Sequence, residues 1–105
     1  MTDRELLELA AKAQGYKYMN SALWDGRDVV AYSWNPLTDD GDALRLAVKL
    51  GLRVGVGLTH TSAVIAANSD DDDSISRICA HNGDPYAATR RAIVRAAAEI
   101  GKEMK

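Results

Sequence analysis

The chain is predicted to be a single α+β domain in which an antiparallel sheet is packed by three helices. Three observations lead to this prediction. Helix-capping sequences precede three apolar stretches, short segments of alternating apolar residues lie between them, and 105 residues suit one domain. The sheet is expected to combine an N-terminal hairpin with a three-strand meander, in a sandwich that spans residues 1–105.

The first helix is expected over residues 2–14. Thr2 and Glu5 form a capping box, in which the Thr hydroxyl accepts from the Glu5 N–H and the Glu carboxylate reaches back. An apolar stripe follows at helical spacing, formed by Leu6, Leu9, Ala10 and Ala13. Gly15 is a typical residue to end the helix.

A hairpin is expected next. Residues 16–19 favour a short β segment, and Asp25-Gly26 is a typical hairpin turn. Residues 29–34 then read as a strand. Pro36 ends this strand because proline donates no hydrogen bond to a ladder.

The second helix is expected to begin among the aspartates at 39, 40 and 42, where their charge complements the positive end of the helix dipole. The same three carboxylates leave a magnesium site for phosphoryl chemistry as an alternative. Six apolar residues follow, covering more than half of the helix circumference: Ala43, Leu44, Leu46, Ala47, Val48 and Leu50. Such a pattern predicts a mostly buried helix, which Gly51 ends.

The meander strands are expected at residues 54–59, 62–68 and 74–80. A tight turn near His60-Thr61 would join the first two. Gly55 and Gly57 alternate with valines and leave one face of the sheet bare, which permits close packing of a helix or the approach of a partner.

Asp84-Pro85 opens the last helix, expected to run to about Lys102. Its arginines read as a solvated face, with Arg95 and Glu99 as an i,i+4 ion pair. The alternative is that Arg91 and Arg95 contact an acidic partner or a phosphate.

Composition excludes several classes of function. A formal charge of −2 and a pI near 5.6 argue against direct nucleic-acid binding, which needs a cationic face. The single cysteine, Cys79, cannot form an internal disulfide. No apolar run approaches the ~20 residues of a membrane span, so a cytoplasmic location without membrane contact is expected. No sequence motif calls for a cofactor.

Two segments resemble those of small hypothetical proteins encoded by tailed bacteriophages and prophages, similar to the phage ABA sandwich domain family. One runs from Trp34-Asn35-Pro36 through the acidic helix start to Leu44, and the other is residues 88–97, Ala-Thr-Arg-Arg-Ala-Ile-Val-Arg-Ala-Ala. The resemblance implies a phage origin, hence the host bacterial cytoplasm, and an α/β sandwich. It implies no activity and no catalytic residues.

Besides Arg91 and Arg95, two groups of residues are candidates for partner binding. The first is an acidic run, Asp70, Asp71, Asp72 and Asp73, which reads either as a solvated turn or as a mimic of nucleic-acid phosphates. It lacks the ligand spacing of a calcium loop. The second contains Tyr18 and Trp24 beside the predicted hairpin, whose rings serve either the core or a binding surface.

A catalytic or metal site has one further candidate. Cys79 and His81 are two apart on a predicted strand and would face the same way, and His60 is the candidate to join them across the sheet as a metal ligand. The simpler interpretation is structural, since cysteine is commonly buried as a small hydrophobe. No catalytic residue and no metal ligand is therefore assigned.

The resulting hypothesis is a phage-encoded, non-enzymatic binding module that acts on a host protein or protein complex, for example as an inhibitor of a host defence complex of the CRISPR type. The alternative is a nucleotide- or metabolite-binding protein, in which the glycine-bare sheet face and nearby arginines hold a phosphate. A small metal-dependent enzyme ranks third. A meander edge beside bare glycines also allows a homodimer.

Overall fold

The structure, a computed structural model, describes residues 1–65 and 76–104. It has three helices and two three-stranded antiparallel sheets, which confirms the predicted α+β class. The hairpin and the meander belong to separate sheets and do not combine in one. The helices are α1 (Asp3–Ala13), α2 (Asp40–Leu50) and α3 (Pro85–Glu103). The strands are β1 (Lys17–Met19), β2 (Ala22–Trp24), β3 (Val29–Ala31), β4 (Leu52–Val56), β5 (His60–Ile65) and β6 (Ser76–Ala80). None of these helices is long and apolar enough to cross a membrane.

The predicted helix starts are confirmed. Each N-cap side chain accepts the N–H three residues later: Thr2 from Glu5 at 3.1 Å, Asp39 from Asp42 at 2.8 Å, and Asp84 from Ala87 at 3.0 Å. Gly51 ends α2 in the left-handed conformation, with φ of 66°. The helix ends are therefore determined by local sequence.

The first sheet has the order β1-β2-β3, and its predicted hairpin turn is confirmed. The Asp25 carboxylate accepts the N–H groups of Arg27 and Asp28, each at 2.8 Å. The backbone N–H of Asp28, followed by that of Arg27, lowers the pKa of this carboxyl. The turn thus carries an internal hydrogen-bonding side chain at its first position.

The strand predicted over residues 29–34 ends early, at Ala31. Ser33 takes a positive φ of 49°, which turns the chain out of the sheet. The Trp34 N–H then donates to the Ser21 carbonyl at 2.8 Å, and the indole is buried in the core. The tryptophan therefore lies in an irregular segment after the bend and not in a strand.

The second sheet has the order β4-β5-β6 and contains the predicted meander. The prediction of a turn at His60-Thr61 is wrong, because both residues already pair with β6. The turn consists of Leu58 and Thr59, and it is closed by the Gly57 N–H, which donates to the His60 carbonyl at 2.8 Å. Strands β4 and β5 each begin two residues earlier than expected, at Leu52 and His60.

Helix α3 is the centre of the molecule, because it contacts α1, α2 and all three strands of the second sheet. Its contact with α1 is the most extensive between any two described elements. Small side chains of these two helices are fully buried: Ala10, Ala11, Ala92, Ala96 and Ala97. Small residues allow two helices to approach closely, so the core is built around an alanine-rich helix pair.

The prediction that α2 is mostly buried is wrong. Ala43, Leu46 and Ala47 are buried, but Leu44 is 64% exposed and Val48 is 72% exposed. These two are neighbours on one helix face, since they are four residues apart. Helix α2 therefore has two apolar faces, of which only one is packed.

The prediction of a solvated arginine face on α3 is wrong for Arg90, whose side chain is only 17% exposed. Arg90 donates to the Leu37 carbonyl at 2.9 Å and to Asp40 at 2.6 Å. Arg91 pairs with Asp3 of α1 at 3.1 Å. The two arginines therefore tie α3 to the starts of the other two helices.

The expected pair of Arg95 with Glu99 is replaced by a longer-range one. Glu99 accepts from Arg77 of β6 at 2.9 Å, and Lys102 lies 4.0 Å away. The Arg77 hydrogen bond lowers the pKa of the Glu99 carboxyl. This ion pair joins α3 to the edge of the second sheet.

Candidate functional site

An open groove of about 500 Å³ lies between α2, β4 and the first turns of α3. Its lining is mostly apolar: Leu44 and Ala47 from α2, Val54 and Val56 from β4, and Tyr86 and Ile93 from α3. Asp40 and Arg90, paired at 2.6 Å, form the polar part of its wall. The groove is therefore a candidate site for another molecule with apolar surface.

The side chains around this groove are unusually exposed for their type. Val56 is 60% exposed and Tyr86 is 68% exposed, in addition to Leu44. Val48 continues the apolar surface along α2, and Leu58 is fully exposed in the β4–β5 turn. Contiguous exposed apolar surface of this kind is typical of interaction sites, because single exposed apolar residues are otherwise scattered.

The alternation of β4 decides which of its residues face the groove. Val54 and Val56 lie on the groove side, beside α3. Arg53 and Gly55 therefore point to the opposite face of the sheet, since successive side chains alternate. The prediction that a helix packs on the sheet face of Gly55 is wrong, because α3 packs on the opposite face, which carries Val54 and Val56.

The electrostatics of the groove disfavour an anionic ligand. Both helices that border it begin with an aspartate cap, Asp39 for α2 and Asp84 for α3. These carboxylates occupy the positive helix ends, where a phosphate would otherwise bind. The guanidinium of Arg90 is also engaged, by Leu37 and Asp40.

The three aspartates at the start of α2 act as structural groups. Asp39 caps the helix, and Asp40 pairs with Arg90. Asp42 is buried, where it accepts the Asn35 N–H at 3.0 Å and an Arg45 N–H at 2.7 Å. Among the described residues, no group of three or more His, Cys, Asp or Glu side chains is placed to hold a metal ion.

The Cys79–His81–His60 hypothesis is not supported by the geometry. Cys79 is buried and its sulfur accepts from Arg95 at 3.5 Å. The ring of His81 is hydrogen-bonded with the buried Thr61 hydroxyl at 2.8 Å. His60 precedes Thr61 in β5, so its side chain points to the other face of the sheet. The strand ends at Ala80, so His81 lies just outside it.

The predicted partner-binding residues are distributed over separate contacts. The Tyr18 ring packs against Trp34 with centroids 6.0 Å apart, and Trp24 donates its indole N–H to the Met19 carbonyl at 3.2 Å. Arg91 and Arg95 are engaged by α1 and β6, as described above. No hydrogen bond, ion pair or ring contact in the described part of the chain joins any two of these four candidates. The run Asp70–Asp73 lies outside the described residues.

The aromatic residues near the hairpin divide between core and surface. Trp34 is buried and Tyr18 is half-buried against it, whereas Tyr32 is 80% exposed. The hairpin aromatics therefore form no common exposed surface.

Sequence reasoning missed the groove residues. The apolar pattern of α2 is wider than one buried face, but by itself it does not distinguish burial on two sides from one open face. The arrangement can bind an apolar surface, and its polar groups are held in structural contacts. Comparison with protein-family models, with curated proteins and with solved structures gives no match for this chain.

Proposed function

We propose that this chain is a non-enzymatic protein-binding module of phage origin that works through the groove between α2, β4 and α3. The observation that carries the proposal is the exposed apolar lining of that groove, above all Leu44, Val56 and Tyr86. Burying such side chains against a partner yields roughly 25 cal/mol per Å² of apolar surface removed from water. The exposed surface is therefore a source of binding free energy.

A protein fits this groove better than a nucleotide does. The lining is mostly apolar, and the bordering helix starts carry Asp39 and Asp84. Three arginines that the nucleotide hypothesis would use, Arg90, Arg91 and Arg95, lie on α3, which packs on the valine face. In β4, Arg53 is the single charged residue on the glycine-bare face. A panel of nucleotides is accordingly expected to leave the thermal unfolding midpoint unchanged, and a clear upward shift with any of them would favour the alternative.

The proposed partner is a host protein or protein complex, and a defence complex is the specific proposal. It is supported by the resemblance of residues 34–44 and 88–97 to small phage proteins. An apolar groove with a neutral ion pair, Asp40–Arg90, in its wall is suited to an apolar segment of a partner.

The test is affinity capture from a phage-infected host with the native chain and three variants. Leu44→Glu and Tyr86→Glu place a charge in the groove, and Tyr32→Glu places the same charge on a side chain that is 80% exposed and outside the groove. We expect a host protein that is captured by the native chain and by Tyr32→Glu but lost with both groove variants. Capture that is identical for all four proteins would contradict the proposal. Circular dichroism checks that each variant is folded.

A further inference from the structure

Strand β4 is an edge of the second sheet, and four of its five residues are exposed. The Gly57–His60 hydrogen bond fixes which backbone groups face β5, because hydrogen-bonded pairs alternate along an antiparallel ladder. Arg53 and Gly55 thus direct their N–H and C=O groups to β5. Leu52, Val54 and Val56 direct theirs outward, where no described residue pairs with them.

This edge lacks the usual protection against pairing with another strand. Proteins blunt free edges with proline, bulges, several charges or a covering element. Strand β4 has no proline, its register with β5 is regular from Leu52 to Val56, and Arg53 is its single charged residue. The edge is therefore competent for strand addition.

The sequence of β4 is complementary to a second copy of itself. A two-fold axis through Val54 places Val54 opposite the same residue of the second copy and Leu52 opposite Val56. Each of these pairs uses the outward backbone groups, so hydrogen-bonded pairs form along the whole strand. On the opposite face, Arg53 of each copy meets Gly55 of the other. The two arginines thus avoid each other, and their long side chains lie over bare backbone.

The exposed face of α2 flanks the same edge. Leu44 lines the groove together with Val54 and Val56, and Val48 continues that face by one helical turn. Helix α2 leads into β4 through the single residue Gly51, so helix and strand move as a unit. A second copy that joins β4 therefore brings its own α2 against the first.

We infer that β4 pairs antiparallel with β4 of a second copy about a two-fold axis at Val54, forming one continuous six-stranded sheet. The inference rests on the proposed function only in that both use the apolar surface at β4. The dimer uses the backbone edge and α2, whereas Tyr86 on α3 belongs to the groove alone.

The register is tested by sedimentation equilibrium on the native chain and three variants, over about two decades of protein concentration. Val54→Pro removes an N–H that the β4–β5 ladder does not use, so the monomer folds and the dimer is lost. Gly55→Glu places a carboxylate opposite Arg53 twice in each dimer and tightens association by roughly twofold to thirtyfold. Gly55→Lys, its matched control in size and exposure, weakens association by a similar factor.

Three outcomes overturn the inference: a native chain that is monomeric throughout, a dimer that survives Val54→Pro, or equal association of Gly55→Glu and Gly55→Lys. Circular dichroism confirms that each variant is folded. Failure here is distinguishable from failure of the proposed function. If Tyr86→Glu loses host-protein capture and the native chain forms no dimer, the proposed function is supported and the self-pairing is not. If the native chain forms the dimer but Tyr86→Glu captures host protein as the native chain does, only the self-pairing is supported.

Discussion

Gly101 of α3 lies directly against the backbone of Leu9 in α1. A Cβ atom built at Gly101 would lie 2.8 Å from the Leu9 carbonyl carbon and would overlap its oxygen. The two helices can meet this closely because Gly101 has no side chain and because several fully buried residues of both helices are alanines. The glycine is thus required by the spacing of the helix pair and not by a backbone turn.

We expect Gly101→Ala to lower the free energy of unfolding by about 1–3 kcal/mol, the usual cost of overpacking a rigid contact. The cost appears although alanine is the better helix former by about 1 kcal/mol. Gly41→Ala in α2 is the matched control, because its Cβ would meet only the ends of the Arg45 and Asp39 side chains, at 3.2 Å. Urea unfolding measures both, and equal stability of the two variants would contradict the close contact.

The Arg90 side chain is expected to stabilise the fold mainly through the Leu37 carbonyl. Arg90→Ala should cost about 1.5–3 kcal/mol, since it removes hydrogen bonds from a charged donor. Asp40→Ala should cost less than about 1 kcal/mol, because Asp40 is exposed and the ion pair is screened by water. Urea unfolding of the two single variants and the double variant separates the contribution of the Leu37 hydrogen bond from that of the Asp40 ion pair. Equal costs for both single variants would refute the larger role of the Leu37 carbonyl.

Truncating a side chain should lower the free energy of unfolding on one face of α2 and leave it nearly unchanged on the other. Leu46 is 1% exposed, so Leu46→Ala is expected to cost about 2–5 kcal/mol. Leu44→Ala, two residues earlier, is expected to change stability by less than about 0.5 kcal/mol because its side chain lies in solvent. Thermal and urea unfolding check the contrast at a concentration where the chain is monomeric. A large loss with Leu44→Ala would show that this face is packed.

The features that the sequence predicted well are those that depend on interactions between neighbouring residues. The caps at Thr2, Asp39 and Asp84 need only a side-chain oxygen and an N–H three residues later, so reading the chain places them correctly. The hairpin turn at Asp25 is local in the same way. Fold class follows from the order of such elements.

What the sequence could not predict depends on contacts between distant segments. Arg90 and Leu37 are 53 residues apart, and nothing near either one indicates the hydrogen bond between them. The apolar width of α2 is equally consistent with burial on two sides and with one open face. The positions of β4 and α3 decide between these two arrangements of α2. The groove and the exposure of Leu44 could therefore be recognised only from the three-dimensional structure.

The Glu99–Arg77 ion pair predicts a pH-dependent contribution to stability. Arg77 lowers the pKa of Glu99 in the folded state below its ordinary value of 4.5. The contribution is therefore fully present above that value and is lost as the pH falls through the lower folded pKa. Near neutral pH, Glu99→Gln should cost up to about 1 kcal/mol, and the difference from the native chain should shrink at a pH well below 4.5. Glu103→Gln, at an exposed position on the same helix, should cost little at either pH. Urea unfolding at the two pH values measures this, and a difference for Glu99→Gln that stays constant with pH would rule out the ion pair as its source.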